Sequence, residues 1–233
     1  MLEESIVMSR RRFEVAPLSI YGTSTIGVYI FTNNSLTVVP MDVPDKVINS
    51  IRDTLGTNVI KASLAKSPLI GIFMVGNDNG VLVPSIVTED EVNELKRSGL
   101  NVSIIHTRYT AIANLILTNN KKTIVSPIIE KEYVGLIRDA LGTEVIVDEV
   151  CGTYLVGSIA VANDRGVLLS PEARDEDVKK VKDYFGLPVN VGTVNRGRSF
   201  LRGGLVVNNN GGLVGSDTTG FEIVRIMQVF GGA

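Results

Sequence analysis

The sequence predicts an α+β fold in which five pseudo-symmetric strand–strand–strand–helix modules close into a ring. Three observations carry this prediction. A pattern of two apolar runs around a polar step occurs five times, and a Gly-x-x-Val motif recurs in phase with it. The chain also ends too soon after the last such glycine for a further strand. An internal repeat of about 44 residues is typical of a fold built from equivalent modules.

Each copy of the first pattern is typical of a β-hairpin. Residues 156–171 (VGSIAVANDRGVLLSP) show it: an apolar run, then Asn with Asp or Gly, then a second apolar run that ends near Ser or Pro. The copies begin at Gly27, Gly71, Ala113, Gly157 and Gly203, at spacings of 44, 42, 44 and 46 residues. Five phased copies favour one closed body over two domains, because a lone unit of this size buries its apolar face poorly.

The second motif places a strand after each helix. Its glycines are Gly56, Gly99, Gly142 and Gly186, and Gly231 is a fifth, which has no strand after it. Residues 13–21 (FEVAPLSIY) precede the first hairpin where the other copies have this strand, so they are expected to complete the last module. The predicted organisation is a flexible leader, 1–12, and a single ring domain, 13–233.

Helix signals lie between the hairpins and these glycines. Pro44 begins a predicted helix that Gly56 ends, which is the usual asymmetry of proline and glycine. Thr88 with Glu91, and Thr219 with Glu222, fit the capping-box pattern. The other helices are expected at 128–141 and 175–184, and the last ends near Val229.

Composition narrows the class of protein. Apolar residues make up 44% of the chain, charged residues 21%, and the net charge is −2. That charge argues against wholesale coating of nucleic acid but leaves room for a local basic patch. No apolar run approaches the length of a membrane span, and Cys151, the one cysteine, fits a reducing compartment. A soluble, cytoplasmic protein without an internal disulfide is expected.

The inventory of chemical groups argues against catalysis. Cys151 and His106 are placed in the strands after Gly142 and Gly99, where both are expected to be packed structural residues. A cysteine nucleophile needs a base and an acid-lined pocket, and nothing in the sequence supplies them. No His or Cys pair has ligand spacing, and phosphate-loop and dinucleotide motifs are absent. No catalytic residue, metal or cofactor is therefore expected.

Three polar clusters interrupt the repeat. They are GTVNRG at 192–197 with Arg198 and Arg202, the segment GSDTTG at 215–220, and Arg108 with Tyr109 and Asn114. Each has two interpretations. The clusters are binding residues, or they are ordinary structure. In the second interpretation, 192–197 is a strand end with its turn, and Thr219 with Glu222 is a helix cap.

These motifs resemble the translation initiation factor 6 family over residues 18–230. GTVNRG at 192–197 and Asp-Thr-Thr at 217–219 are its specific signatures, and GVLVP at 80–84 with Asn114 supports them. The family's Ala-Leu-Gly-Asn is here Ala-Ile-Ala-Asn, 111–114, and the leader is longer than expected. The short C-terminus resembles the archaeal members. The fold that the resemblance implies is a pentein-like β/α propeller, whose known members include both enzymes and non-enzymes.

The resemblance implies binding to the large ribosomal subunit at its intersubunit face, which prevents premature association with the small subunit, and a role in large-subunit biogenesis. The partners would be ribosomal proteins near the sarcin-ricin loop, with contact to ribosomal RNA, and the protein would act as a monomer. The ribosome-binding residues would be Arg108, Asn114, Asn195, Arg196, Arg198, Asp217 and Thr218. The alternatives are a degenerate pentein-type guanidine-processing enzyme and a general RNA-binding ring.

Overall fold

The computed structural model describes residues 12–232. The predicted leader therefore lies outside the described residues except for Arg12. The strands are β1 Glu14–Leu18, β2 Phe31–Thr32, β3 Leu36–Pro40, β4 Asn58–Ala62, β5 Val75–Gly76, β6 Val81–Pro84, β7 Val102–Ile105, β8 Ile116–Thr118, β9 Lys122–Val125, β10 Glu144–Val147, β11 Ala160–Ala162, β12 Val167–Leu169, β13 Val189–Val191, β14 Leu205–Val207 and β15 Gly211–Gly215. The α-helices are α1 Asp45–Leu55, α2 Ile70–Phe73, α3 Glu89–Arg97, α4 Tyr133–Leu141, α5 Val156–Ile159, α6 Asp175–Phe185, α7 Leu201–Gly204 and α8 Gly220–Phe230, and 3-10 turns occupy Ile26–Val28 and Ile112–Asn114.

The strands form five three-stranded sheets, which confirms the predicted five-module ring. In each sheet the hairpin strands pair in antiparallel fashion, and the strand after the long helix pairs in parallel with the second of them, as β4 does with β3. The post-helix strand thus belongs to the sheet of the preceding hairpin. In the fifth sheet this position is taken by β1, which pairs in parallel with β15 from Glu14 opposite Gly211 to Leu18 opposite Gly215.

The long helices begin and end at chemically defined positions. Thr88 and Thr219 form capping boxes with Glu91 and Glu222, as predicted. Helices α1, α4 and α6 each end at a glycine in the left-handed conformation, which a residue with a Cβ adopts only at a cost. The predicted start of the third long helix at residue 128 is wrong. Residues 126–132 form turns, and the helix begins at Tyr133.

The core is divided among the module boundaries. Helix α1 packs against its own sheet at β4 and against the previous sheet at β15, and α8 likewise contacts both β12 and β1. One apolar cluster accordingly joins Leu18 of the last sheet, Val39 of the first sheet and Ile51 of α1. Each module is therefore completed by its neighbour, and the apolar surface is fully buried only when the ring is closed.

The five short helical turns pack in a closed circle around the axis of the ring. The Ile26–Val28 turn contacts α2 on one side and α7 on the other. A Cβ on Gly27 would lie 1.7 Å from the Arg202 carbonyl oxygen, and one on Gly71 would lie 2.0 Å from the Gly27 carbonyl oxygen. A Cβ on Gly157 would lie 2.1 Å from the Ala113 carbonyl oxygen, so backbone contact between modules requires glycine at positions 27, 71 and 157.

Candidate functional site

All parallel strand pairs run towards one end of the ring, which we call the loop end. The connections that leave β1, β4, β7, β10 and β13 lie there, with the short helical turns and the starts of the long helices. The hairpin turns lie at the opposite end, the hairpin end. The structure brings every predicted binding residue to the loop end: Arg108, Asn114, Asn195, Arg196, Arg198, Asp217 and Thr218.

The fifth-module loop is held by a carboxylate. Asn195, Arg196 and Gly197 all have positive φ, at 48°, 62° and 93°. Glu222 accepts hydrogen bonds from the backbone N–H of Gly197 at 2.9 Å and of Arg196 at 3.3 Å, and from the Thr193 hydroxyl at 2.7 Å. These bonds compensate for a backbone conformation that non-glycine residues rarely adopt. The side chains of Arg196 and Arg198 are left exposed.

These hydrogen bonds also set the ionisation of Glu222. Burial raises the pKa of this carboxyl, but hydrogen bonds from the backbone of Thr219 and Gly197 and from the hydroxyls of Thr193 and Thr219 outweigh it. The net result lowers the pKa to about 2. Glu222 is therefore a fixed negative charge directly beneath the arginine loop.

Asn195 and Thr218 connect the fifth module to the first. The Asn195 backbone N–H donates to the Thr218 hydroxyl at 3.1 Å, and that hydroxyl donates to the Asn195 side-chain oxygen at 3.0 Å. The Asn195 amide donates to the Ser24 carbonyl oxygen at 2.9 Å, and the Ser24 hydroxyl donates to Asp217 at 2.8 Å. The side chains of Asn195 and Thr218 are buried within this seam. In this conformation both position the loop, while Asp217 remains exposed.

Arg108 belongs to a separate cluster in the third module. Its guanidinium lies 4.9 Å from the centre of the Tyr109 ring, and its Nε lies 4.0 Å from a Glu130 carboxylate oxygen. The Thr107 hydroxyl donates to Glu130 at 2.6 Å, and this bond is the main cause that lowers the pKa of Glu130. Arg108 is 73% exposed at its side chain and is therefore available to a partner.

Asn114 lies apart from Arg108, Arg196 and Arg198, in a depression on the axis. The depression has a volume of about 250 Å³ and includes Ser158, Phe200 and Arg202 in its lining. Arg202 is the second residue of the fifth helical turn, and Gly27 is the second residue of the first. The fifth copy of the repeat is therefore aligned with the first at Arg202, so its predicted start at Gly203 is one residue late. Burial lowers the pKa of the Arg202 guanidinium to about 10, which leaves it charged at neutral pH.

The hairpin end carries two closed rings of hydrogen bonds that the sequence interpretation missed. In the first, the side-chain amide of each buried asparagine donates to the backbone carbonyl of the next, at 2.9 to 3.2 Å, through Asn33, Asn77, Asn119, Asn163, Asn208 and back to Asn33. In the second, each backbone N–H donates to the side chain of the next residue, through Asn34, Asp78, Asn120, Asp164, Asn209 and back to Asn34. The signal was the recurrence of Asn at the first turn position of every copy.

The placement of Cys151 and His106 in strands is wrong. Cys151 lies in a turn with a φ of 54°, and His106 follows the end of β7 and is exposed. Burial raises the pKa of the Cys151 thiol to about 12, and the carboxylates of Asp177 and Glu172 add to this effect. Such a thiol is almost wholly protonated at neutral pH and is a poor nucleophile.

Within residues 12–232, no three His, Cys, Asp or Glu side chains come together in a group that could hold a metal ion. Among the helices of the same residues, none has both the length and the apolar character needed to cross a membrane.

Comparison with known proteins identifies the family. The eIF-6 family model matches residues 15–229. The chain belongs to the eIF-6 family. It is 55% identical to translation initiation factor 6 of Pyrobaculum aerophilum, over 94% of this chain and 100% of that protein. It is 40% identical to translation initiation factor 6 of Saccharolobus islandicus strain L.S.2.15, over 92% of this chain and 97% of that protein.

Solved structures with a similar fold are enzymes of low sequence identity. The amidinotransferase SxtG of Microseira wollei matches at a TM-score of 0.50 and 10% identity, over 77% of this chain and 65% of that protein. DDAH of Pseudomonas aeruginosa matches at a TM-score of 0.47 and 11% identity, over 72% of this chain and 68% of that protein. The five three-stranded sheets, with the match to SxtG, give this eIF-6 family chain a pentein-like fold, and at 10% identity the likeness concerns the fold alone.

Proposed function

We propose that this protein binds the large ribosomal subunit at its intersubunit face and prevents premature association with the small subunit. The observation that carries the proposal is the eIF-6 family match over residues 15–229, together with relatives named translation initiation factor 6. The proposed partners are ribosomal proteins near the sarcin-ricin loop, with contact to ribosomal RNA. The protein would act in the cytoplasm as a monomer and take part in large-subunit biogenesis.

The distribution of charge at the loop end supports this role. Arg196, Arg198 and Arg108 are exposed there, although the net charge of the whole chain is −2. Guanidinium groups form bidentate bonds with carboxylates and phosphates, so three of them suffice for a docking face on a protein that is not basic overall. A preformed ring also loses little conformational entropy on docking and is bulky enough to obstruct a second subunit.

We further propose that the protein acts without catalysis. The raised pKa of Cys151 and the exposed position of His106 after β7 support this over a guanidine-processing activity. Turnover of arginine-like substrates that is abolished by Cys151→Ser would instead establish the enzyme. Tight binding to naked ribosomal RNA with a steep dependence on salt would favour the general RNA-binding ring.

The test is a charge reversal at the tip of the fifth-module loop. Arg196→Glu is expected to weaken large-subunit binding by about 2 kcal/mol, a loss of roughly thirtyfold, because it places a carboxylate at the proposed contact. The variant should remain folded, since only the backbone of Arg196 is bonded to Glu222. Co-sedimentation with purified large subunits measures binding, and a sucrose gradient of mixed subunits measures joining.

Arg97→Glu is the matched control. Arg97 is exposed at the last position of α3, which lies at the hairpin end, away from the proposed face. Arg174 would be a poorer control, because its Nε lies 3.6 Å from Asp177 at the start of α6. If Arg196→Glu and Arg97→Glu keep subunits apart equally well, the docking face is not at this loop.

A further inference from the structure

The depression on the axis of the loop end is lined by residues of all five modules, and its polar side chains come from three of them. Arg202 comes from the fifth module, Ser158 from the fourth and Asn114 from the third. Phe200, Leu155 and Ile72 contribute apolar surface to the same depression. A narrow cavity of about 70 Å³, also lined by Arg202, continues inward along the axis. Arg202 therefore lines both the surface depression and the inner cavity.

Arg202 has only weak partners in this position. Its Nε donates to the Gly71 carbonyl oxygen at 3.3 Å, and one of its terminal nitrogens donates to the Met74 carbonyl oxygen at 3.4 Å. The ion pairs among residues 12–232 do not include Arg202. A partly buried cation that is bonded to two carbonyl groups at long distance, with no ion-pair partner, retains unused hydrogen-bond donors.

The neighbouring polar side chains are also unused. Asn114 and Ser158 both line the depression, and within the described part of the chain their side chains form no hydrogen bond with another residue. Four of the five helical turns have Gly or Ala where the fifth has Arg202. The ring thus closes without a charge at this position, and closure does not account for the guanidinium.

We propose that the axial depression is a binding site for a carboxylate group, held by Arg202 with the Asn114 amide and the Ser158 hydroxyl. A carboxylate matches the forked donors of a guanidinium, and the apolar rim suits the carbon atoms that carry it. The carboxylate would belong either to a free small molecule or to an acidic side chain or chain end of a protein partner. The site does not depend on the proposed ribosomal role.

Sodium acetate is the probe. Nuclear magnetic resonance follows the Arg202 Nε–H and the backbone amides of Ser158 and Gly203, while acetate replaces chloride at constant ionic strength. We expect saturable shifts in the wild type. In Arg202→Met, which keeps an unbranched apolar stem but removes the charged guanidinium, we expect the acetate dissociation constant to rise at least about tenfold.

Two further variants make the test specific. Arg97→Gln, at the hairpin end, should bind acetate like the wild type, and Arg202→Lys should bind with intermediate affinity because it keeps the charge but loses the fork. Arg202→Met should unfold at a temperature no lower than the wild type, because it removes a partly buried charge that has only two long hydrogen bonds and no ion-pair partner. The proposal is overturned if the wild type shows no saturable shift, if chloride gives the same response, or if Arg202→Met binds acetate unchanged.

Co-sedimentation of Arg202→Met with large ribosomal subunits identifies the source of the carboxylate. Weakened co-sedimentation together with lost acetate binding assigns the carboxylate to a protein of the subunit. Unchanged co-sedimentation with lost acetate binding assigns it to a free small molecule. Because acetate binding is measured without ribosomes, a failure of the docking proposal remains distinguishable from a failure of this one.

Discussion

Glu222 fixes the backbone of a candidate binding loop although it is not one of the proposed contact residues. It occupies the third position of α8 and accepts hydrogen bonds from two successive backbone N–H groups of the arginine loop. Glu91 has the same role in the second module, where it accepts from the backbone N–H of Ala65 at 3.0 Å and of Lys66 at 2.9 Å. Both carboxylates stabilise backbone with positive φ. The capping box thus also supports the loop in front of the helix.

Glu222→Gln is expected to destabilise the protein in a pH-dependent manner. The pKa of Glu222 is lowered to about 2 from its ordinary value of 4.5. Its contribution to folding stability is therefore fully present above pH 4.5 and is lost as the pH falls towards 2. The difference in unfolding free energy from the wild type should be roughly 1 kcal/mol at pH 7, after allowance for solvent screening. Urea unfolding at pH 7 and pH 3 measures it, and an equal difference at both values would refute the assignment.

At the scale of the element, β1 is the strand with the largest effect on closure. It supplies the parallel partner of β15 across a break in the chain, and its flanking residues Phe13 and Ile20 are buried with Leu18 in two different core clusters. Strand β15 would be left with an unpaired edge without it. The last module and the first would then both lose part of their apolar contacts.

Deletion of residues 1–21 should therefore destabilise the entire protein. The loss of Phe13, Leu18 and Ile20 from the core corresponds to at least ~5 kcal/mol of unfolding free energy, before the lost strand pairing is counted. We expect aggregation or a much lower melting temperature. Deletion of residues 1–9 is the control and should melt like the parent. Equal melting of both truncated proteins, measured by calorimetry, would show that β1 is dispensable.

Sequence predicts the elements that have strong local signals. It does not predict features that depend on the fold around them, such as a helix start without a cap signal or a side chain placed at the axis. The hairpins follow from alternating apolar runs with Asn turns, and the capping boxes from Thr and Glu three residues apart. The start of α4 at Tyr133 was missed because residues 126–132 are partly apolar but form turns. Closeness in sequence groups Arg202 with Arg196, whereas the α7 helical turn places Arg202 at the axis.

Sequence also predicts only part of the placement of the seven binding residues. Their common location at the loop end follows from the repeat, because equivalent segments of equivalent modules face the same direction. The burial of Asn195 and Thr218 depends on Ser24, 171 residues from Asn195 along the chain, and no local pattern reports such a contact. The docking role of all seven residues remains a proposal.

At the scale of the whole molecule, the first asparagine ring couples all five modules. Asn77 donates to the carbonyl oxygens of Asn119 at 2.9 Å and Leu141 at 2.8 Å, and it accepts from the backbone N–H groups of Asn79 and Gly80. Its side chain is buried, so these groups lose their partners if it is removed. The loss of hydrogen bonds at one turn should therefore lower the stability of all five modules.

Asn77→Ala is expected to lower the free energy of unfolding by about 3 kcal/mol, because several buried polar groups lose their partners. Hydrogen exchange of the Val167 amide, two modules away in β12, should accelerate roughly a hundredfold if the ring unfolds as one unit. Asn101→Ala removes only one exposed bond, of 3.3 Å, and should change stability by less than ~0.5 kcal/mol. Faster exchange confined to the second module would show that the modules open independently.

The two ends of the ring differ in how much sequence variation they can accept. At the hairpin end, every turn is bound to both of its neighbours, and a residue that cannot continue either hydrogen-bond ring interrupts it. At the loop end, the β-bridge that closes the turn joins residues three positions apart at Val150 and Thr153 but four positions apart at Val194 and Arg198. The turn before the fifth module thus accommodates one more residue than its counterpart before the fourth, as surface loops commonly do. New recognition properties can therefore arise at one end of this ring, while the other end preserves the number and order of its modules.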